Sequence, residues 1–136
     1  MNLPFPSDAW VKAMMDDVNS SSAYDDAGKN WEGDFYFIIQ ADDTYEGEAV
    51  LYMDLWHGKC RDAFLVEDPD SMTPAFRLSG PMKNWKRVMT KQLDPMQAMM
   101  TGQLRLKGNM AMVMRNVRAA KELVECCTRI PTDFPE

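Results

Sequence analysis

The sequence lacks most of the side chains and motifs on which enzymes and metal sites depend. It has one histidine, His57, and three cysteines, Cys60, Cys126 and Cys127, none of them at the spacing of metal ligands. It contains no nucleophile elbow, no phosphate-binding glycine loop, no dinucleotide-binding glycine motif and no HExxH sequence. We therefore predict no catalytic residue, no metal site and no cofactor, and we expect His57 to be a surface residue in a turn.

The sequence also has no run of about 18 apolar residues and no basic segment followed by an apolar leader at its amino end. An odd number of thiols without disulfide spacing is typical of a reducing compartment. We expect a soluble, cytoplasmic protein. Since 136 residues suffice to bury one core without disulfides or a metal, we expect a single domain over residues 1–136.

Basic residues are fewer than acidic ones, and the two kinds are unevenly distributed along the chain. The chain has 15 Lys and Arg against 21 Asp and Glu, and residues 1–80 contain 5 basic and 16 acidic residues, whereas residues 81–136 contain 10 basic and 5 acidic ones. The acidic excess argues against nucleic acid as a partner. The basic carboxyl-terminal part is compatible with transient contact with an anionic membrane surface, although two complementary solvated faces of one domain explain the same distribution.

The spacing of the apolar residues predicts an α+β fold. A helical period predicts helices over 7–19, near 24–27, from Pro81 through Met89, over 94–101 and from Met110 to about Cys127. Alternation with a period of two predicts strands near 34–39, 50–56, 60–67, 75–78 and 103–107. Because these strands stand between groups of helices, we expect a five-stranded mixed or antiparallel sheet with helices packed over one face.

Methionine is frequent in the second part of the chain. Of 13 methionines, eight lie between residues 81 and 115. Their flexible, polarizable side chains adapt to apolar partners of varied shape, which suits a lipid pocket, but the same side chains also fill gaps in ordinary cores. Composition leaves both interpretations open.

The most specific pattern is DPMQAMMTGQLRLKGNMAMVM at residues 94–114. It encodes, in order, a capped short helix, a glycine, an alternating strand and a helix that opens with Met110. This order resembles the carboxyl-terminal signature of the sterol carrier protein type 2 family. The upstream order of a helix, a hairpin, a third strand and a helix with Trp85 is similar to that family as well, and we expect a stand-alone bacterial or archaeal member.

The resemblance implies helices that enclose an apolar cavity for fatty acyl chains, sterols or isoprenoid-like lipids, and it implies no reaction. We therefore expect a protein that binds or transfers an apolar lipid without catalysis. The matched segment places near this cavity Met96, Met99, Met100, Leu104, Leu106, Met110 and Met114. Periodicity adds Phe35, Phe37, Leu51, Met53, Trp85, Met89 and Val117 as ligand-binding residues.

Charge complementarity makes Arg105, Lys107, Arg115 and Arg118 candidates for contact with an anionic headgroup, although a solvated surface is the favoured explanation for each of them. We expect the ligand to enter by movement of the helix over 94–101, since so short a helix is unstable by itself.

Two other interpretations remain open at this point. In the first, the protein is an accessory or interaction module of a lipid or quinone pathway. A partner's helix, or a second copy in a homodimer, then fills the apolar groove of the same fold. The remaining interpretation is an enzyme. It is disfavoured because the sequence offers no nucleophile and base that can be placed together.

Overall fold

The architecture is that of helices laid over one face of a sheet, and the computed structural model describes residues 2–135. The helices are α1 (Asp8–Ser20), α2 (Ser22–Ala27), α3 (Met82–Met89), α4 (Pro95–Met100), α5 (Met110–Met114) and α6 (Val117–Thr128). The strands are β1 (Leu3–Pro4), β2 (Glu32–Gln40), β3 (Ala49–Trp56), β4 (Lys59–Leu65), β5 (Phe76–Pro81), β6 (Arg105–Lys107) and β7 (Thr132–Asp133). A short 3-10 helix covers Pro69–Ser71.

The main sheet has five strands in the order β4-β3-β2-β5-β6. Strands β2 and β3 are antiparallel, whereas β5 pairs with β2 in parallel, so the sheet is mixed. The predicted α+β class with a five-stranded sheet is therefore confirmed. A second, two-stranded parallel sheet joins β1 to β7 and ties the two ends of the chain together, which the sequence did not indicate.

Alternate side chains of the central strands separate the two faces of the sheet. Phe35 and Leu51 lie in the large core beneath the helices, while Tyr36 and Tyr52 belong to a smaller apolar cluster on the opposite face. On that opposite face the Tyr52 hydroxyl donates to a carboxylate oxygen of Asp34 at 2.9 Å. The period of two in the sequence thus divides the residues between the faces as expected.

Side-chain caps determine where two of the helices begin. The Ser7 hydroxyl oxygen accepts a hydrogen bond from the Trp10 amide at 3.1 Å and caps α1, whose buried residues Trp10, Val11, Met14 and Val18 share one side. The Asp94 carboxylate caps α4 by accepting from the Met96 amide at 2.7 Å. Both helices therefore start at the residues that the capping pattern predicts.

The prediction of one helix from Met110 to about Cys127 is wrong. The chain forms α5 and α6 instead, with a break at Arg115 and Asn116. The Asn116 side-chain amide donates to the Met112 carbonyl at 2.7 Å, and this local bond takes an acceptor that a continuing helix would use.

Strand β6 is only three residues long and ends at Lys107, directly before Gly108. This glycine has φ = 137°. A Cβ there would lie 2.5 Å from Cδ1 of Phe76. Glycine is thus required both by the conformation and by the close approach of β6 to the buried aromatic ring of β5.

Candidate functional site

An apolar cavity of about 120 Å³ lies between the helix side of the sheet and helices α1, α3, α4, α5 and α6. None of the described residues that line it is charged. The lining consists of Phe5, Trp10, Val11, Met14, Phe35, Phe37, Leu51, Met53, Leu78, Trp85, Val88, Met89, Pro95, Met99, Leu104, Leu106, Val113, Ala120, Leu123, Val124 and Cys127.

Aromatic rings build the sheet side of the cavity. The rings of Phe35 and Phe37 stack with centroids 5.1 Å apart, and Trp85 of α3 meets Phe37 edge-on at 5.9 Å. The Trp85 indole N–H donates to the carbonyls of Ile38 at 3.0 Å and Gly80 at 3.1 Å. Because its polar group is satisfied by the backbone, the ring can face an apolar space without a loss of hydrogen bonding.

Sulfur side chains occupy part of the helix side. The Cys127 Sγ on α6 lies 3.9 Å from the Met14 Sδ on α1. Burial raises the pKa of the Cys127 thiol to about 12. The thiol is therefore protonated at neutral pH and acts as a small apolar group of the wall.

The structure brings many of the predicted ligand residues together around this cavity. The predicted residues in its lining are Phe35, Phe37, Leu51, Met53, Trp85, Met89, Met99, Leu104 and Leu106. The pairing of β2 with β3 explains part of the result, because Phe35 stands opposite Met53 and Phe37 opposite Leu51.

The other predicted ligand residues do not line the cavity. Met96 is buried elsewhere in the core, and Met110 and Val117 are half-buried beside it. Met100 is 70% exposed and Met114 is 44% exposed, which corrects the expectation for both. One residue along a helix turns the side chain by about 100°, so these methionines point away from the cavity that their neighbours Met99 and Val113 line.

Sequence reasoning missed lining residues from α1 and α6 and one from the amino end. Trp10, Val11 and Met14 form the apolar stripe of α1, so the helical period gave a signal for them as core residues. Phe5 gave no such signal. It reaches the cavity because β1 is held by β7, and its ring packs against Trp10 at 4.8 Å.

The predicted cationic candidates lie outside this lining. Arg105 and Lys107 alternate with Leu106 on β6, so their side chains leave the opposite face of the strand. Arg115 is exposed, and the Arg118 guanidinium donates to the Asp26 carboxylate of α2. None of these four side chains contributes to the cavity wall.

Two other kinds of feature are missing from the described part of the chain. Residues 2–135 contain no helix that is long and apolar enough to cross a membrane. In the same range, no three side chains of the kinds His, Cys, Asp or Glu stand together as a metal site requires.

Comparison with known proteins yields several similar structures and no significant match among proteins of curated function. A crystal structure of sterol carrier protein 2 is 31% identical, with a TM-score of 0.83 over 91% of this chain and 97% of that chain. A Thermus thermophilus protein, described as possibly a sterol carrier protein, is 31% identical, with a TM-score of 0.82 over 92% of this chain and 88% of that one. The palmitated sterol carrier protein 2-like protein of Aedes aegypti shares the fold at 16% identity, with a TM-score of 0.51, 89% of this chain and 96% of that chain being covered.

A family profile gives the same result from the sequence side. It matches residues 11–121, which include the whole segment 94–114 and all strands of the main sheet. Together with the two structures at 31% identity, this match confirms the resemblance found in the sequence. The chain belongs to the SCP-2 sterol transfer family.

Proposed function

We propose that this protein binds an apolar lipid, such as a fatty acyl chain, a sterol or an isoprenoid, in the cavity between the sheet and the helices, and carries it without chemical change. The observation that carries the proposal is the cavity itself, whose described lining is apolar on every side. A lipid gains about 25 cal/mol for each Å² of apolar surface that it removes from water. Membership of a family of lipid and sterol carriers supports the same function.

The cavity must expand to accept a long chain. Its volume is about 120 Å³, whereas ligand pockets generally measure about 300–1,000 Å³ and a cavity of about 150 Å³ holds a molecule the size of benzene. Met89 and Met99 in the wall have unbranched side chains that can change rotamer at low cost. We infer that the lipid enlarges the space by moving these side chains and the short helix α4.

The proposal includes no reaction. Cys127 is the nucleophilic side chain in the lining, and its raised thiol pKa keeps it protonated. His57 lies in the exposed turn between β3 and β4, where its Nε2 is 2.5 Å from the Glu32 carboxylate. An imidazole at that place has no access to the cavity wall and would not activate the thiol.

Native mass spectrometry of the freshly purified protein, followed by organic extraction, tests the proposal. We expect a bound fatty acid, phospholipid, sterol or isoprenoid at about one molecule per chain. Substitution of Ala120→Phe on α6 places a large ring in the cavity wall and should abolish this uptake. Substitution of Ala111→Phe adds the same ring at an exposed position of α5 and should leave uptake unchanged.

A different set of results would favour the interaction module. In that case the protein would be recovered without lipid, would not take up a fluorescent fatty acid, and its mass in solution would rise with concentration. Circular dichroism would establish that Ala120→Phe and Ala111→Phe are both folded. Equal lipid binding by these two variants would then show that the lipid does not occupy this cavity.

Loading at a membrane is part of the proposal. Met100 and Met114 are exposed, and each directly follows a residue of the cavity wall. Both belong to the basic part of the chain, which is compatible with an anionic lipid surface. Cosedimentation with phosphatidylserine vesicles tests this part, and an absence of binding would contradict it.

A further inference from the structure

A second space, lined by charged as well as apolar residues, adjoins the apolar cavity between the segment that joins α3 to α4, the start of α4, and α6. We name it the vestibule and define it by Lys91, Leu93, Asp94, Lys121 and Glu125. Pro95 of α4 and Val124 of α6 line both the vestibule and the cavity. A lipid whose chain occupies the cavity would thus have its polar end in the vestibule if it entered past these two residues.

The carboxylates of the vestibule are already engaged. The Asp94 carboxylate accepts from the amides of Met96 at 2.7 Å and Gln97 at 3.3 Å at the start of α4. Glu125 forms an ion pair with the Lys91 ammonium. Lys121, one turn before Glu125 on α6, forms no ion pair with a carboxylate of residues 2–135. The Lys121 ammonium is therefore the charge that an incoming anion can neutralise.

Lys91 is the second cationic residue of the vestibule. It has φ = 64°, a left-handed conformation that glycine adopts with less strain than a residue with a side chain. The residue closely follows the end of α3, where glycine is the common choice. The chain instead places an ammonium group there, on the wall of the vestibule.

We propose that the vestibule binds the anionic headgroup of a single-chain lipid, with Lys121 and Lys91 as its cationic partners and with the chain passing between Pro95 and Val124 into the cavity. This inference rests on the proposed lipid binding. It assigns the headgroup to residues other than Arg105, Lys107, Arg115 and Arg118. Glu125 competes with the headgroup for Lys91, so its removal should strengthen binding of an anion.

Displacement of the neutral fluorescent probe N-phenyl-1-naphthylamine by laurate, dodecyl phosphate and 1-dodecanol tests the proposal, because the three competitors have the same chain length. In the wild type, both anions should compete better than the alcohol. Lys121→Gln should lower the affinity for both anions by about fivefold, the order expected for an exposed charge pair. It should change the affinity for the alcohol by less than about twofold. The anion whose affinity falls more in this variant identifies the headgroup as a carboxylate or a phosphate.

Two further variants separate recognition of the headgroup from an effect on folding. Glu125→Gln should raise the affinity for the anions by a few fold, about as much as one exposed charge pair contributes, and leave the affinity for the alcohol unchanged. Lys91→Gly should lower the affinity for the anions, because it removes a cation. It should also raise the denaturation midpoint, because glycine adopts the left-handed backbone conformation with less strain. Lys59→Gln, on the strand at the far edge of the sheet, is the matched control and should change none of these values.

The possible failures are distinguishable. If none of the three compounds displaces the probe from the wild type, the proposed lipid binding itself fails. If the wild type binds all three equally well, or if Lys121→Gln and Lys91→Gly weaken anions and alcohol alike, lipid binding stands and the headgroup site is overturned.

Discussion

Cys127 connects the cavity with a property that can be measured in solution. Its side chain lines the cavity, and burial raises the pKa of the thiol to about 12, whereas an unfolded cysteine has a pKa of about 8.5. Only the thiolate is nucleophilic, so the raised pKa shifts the onset of reactivity to higher pH. The reactivity of this residue therefore reports on the environment of the cavity wall.

We predict that N-ethylmaleimide modifies Cys127 in the folded protein at pH 8 at least about a hundredfold more slowly than in the unfolded chain, because far less thiolate is present. Between pH 8 and 10 the rate should rise about tenfold per pH unit in the folded protein, whereas it should level off near pH 9 in the unfolded chain. Fragmentation mass spectrometry of the labelled protein separates Cys127 from its neighbour Cys126.

Saturation with laurate should slow the labelling of Cys127 further, since the lipid would cover the thiol. Cys60 provides the internal control, because burial also raises the pKa of its thiol to about 12 and it does not line the cavity. Equal labelling of Cys127 in the folded and unfolded states would contradict the raised pKa of its thiol. Equal slowing of both thiols by laurate would contradict the placement of lipid beside Cys127.

At the scale of elements, α4 is a part of the cavity wall that can be displaced easily. It has six residues, fewer than an isolated helix needs for stability in water. The Asp94 cap, the buried Met96 and the buried Ala98 hold it in place, and Pro95 and Met99 face the cavity. The central strands, by contrast, are held by neighbours on both sides. Local opening should therefore begin at α4.

We predict that the amides of residues 96–101 exchange hydrogen faster than those of β2 and β3 in the lipid-free protein, and that lipid slows them. Removal of the cap by Asp94→Ala should destabilise the helix by about 1 kcal/mol and accelerate exchange there about fivefold. Asp16→Ala, at an exposed position inside α1, is the control and should leave these rates unchanged. Protection of α4 equal to that of β2 in the lipid-free protein would place the opening elsewhere.

Local patterns predicted most of the elements because each depends on a short stretch of sequence. The alternation around Phe35 and Phe37 specified β2, and Asp94-Pro95 specified the start of α4. The break at Asn116 was missed because the apolar stripe continues across it, and only the hydrogen bond to Met112 reveals the interruption. The pairing of β1 with β7 was missed as well, because it is a contact between the two ends of the chain and leaves no local pattern.

The candidate site was predicted less completely than the fold. Cavity residues such as Leu104 and Leu106 follow from the resemblance at residues 94–114, but a resemblance does not tell which of two adjacent methionines faces inward. Met99 lines the cavity and Met100 is exposed. The vestibule was missed for a different reason, because Lys91 and Lys121 are 30 positions apart and only the packing of α3 against α6 brings them together.

At the scale of the whole molecule, the charge distribution favours one orientation toward a membrane. Residues 1–80 contain 5 basic and 16 acidic residues, whereas residues 81–136 contain 10 basic and 5 acidic ones. An anionic surface repels the first part and attracts the second. The exposed Met100 and Met114 belong to the attracted part, and the exposed Trp56 belongs to the repelled part. The exposed Met100 and Met114 should therefore contact the lipid surface.

We predict that the protein cosediments with vesicles that contain phosphatidylserine and binds weakly to vesicles of phosphatidylcholine alone. Added salt should weaken the binding, because the attraction is electrostatic and is screened within about 10 Å at 0.1 M ionic strength. The double substitution Met100→Ser and Met114→Ser should reduce binding severalfold, since it removes the apolar side chains that would enter the interface. Trp56→Ser removes the exposed apolar side chain of the acidic part and should leave binding unchanged. Two results would show that the orientation inferred from charge is wrong. One is a loss of binding in Trp56→Ser as large as that in the double methionine variant, and the other is equal binding to the two kinds of vesicle.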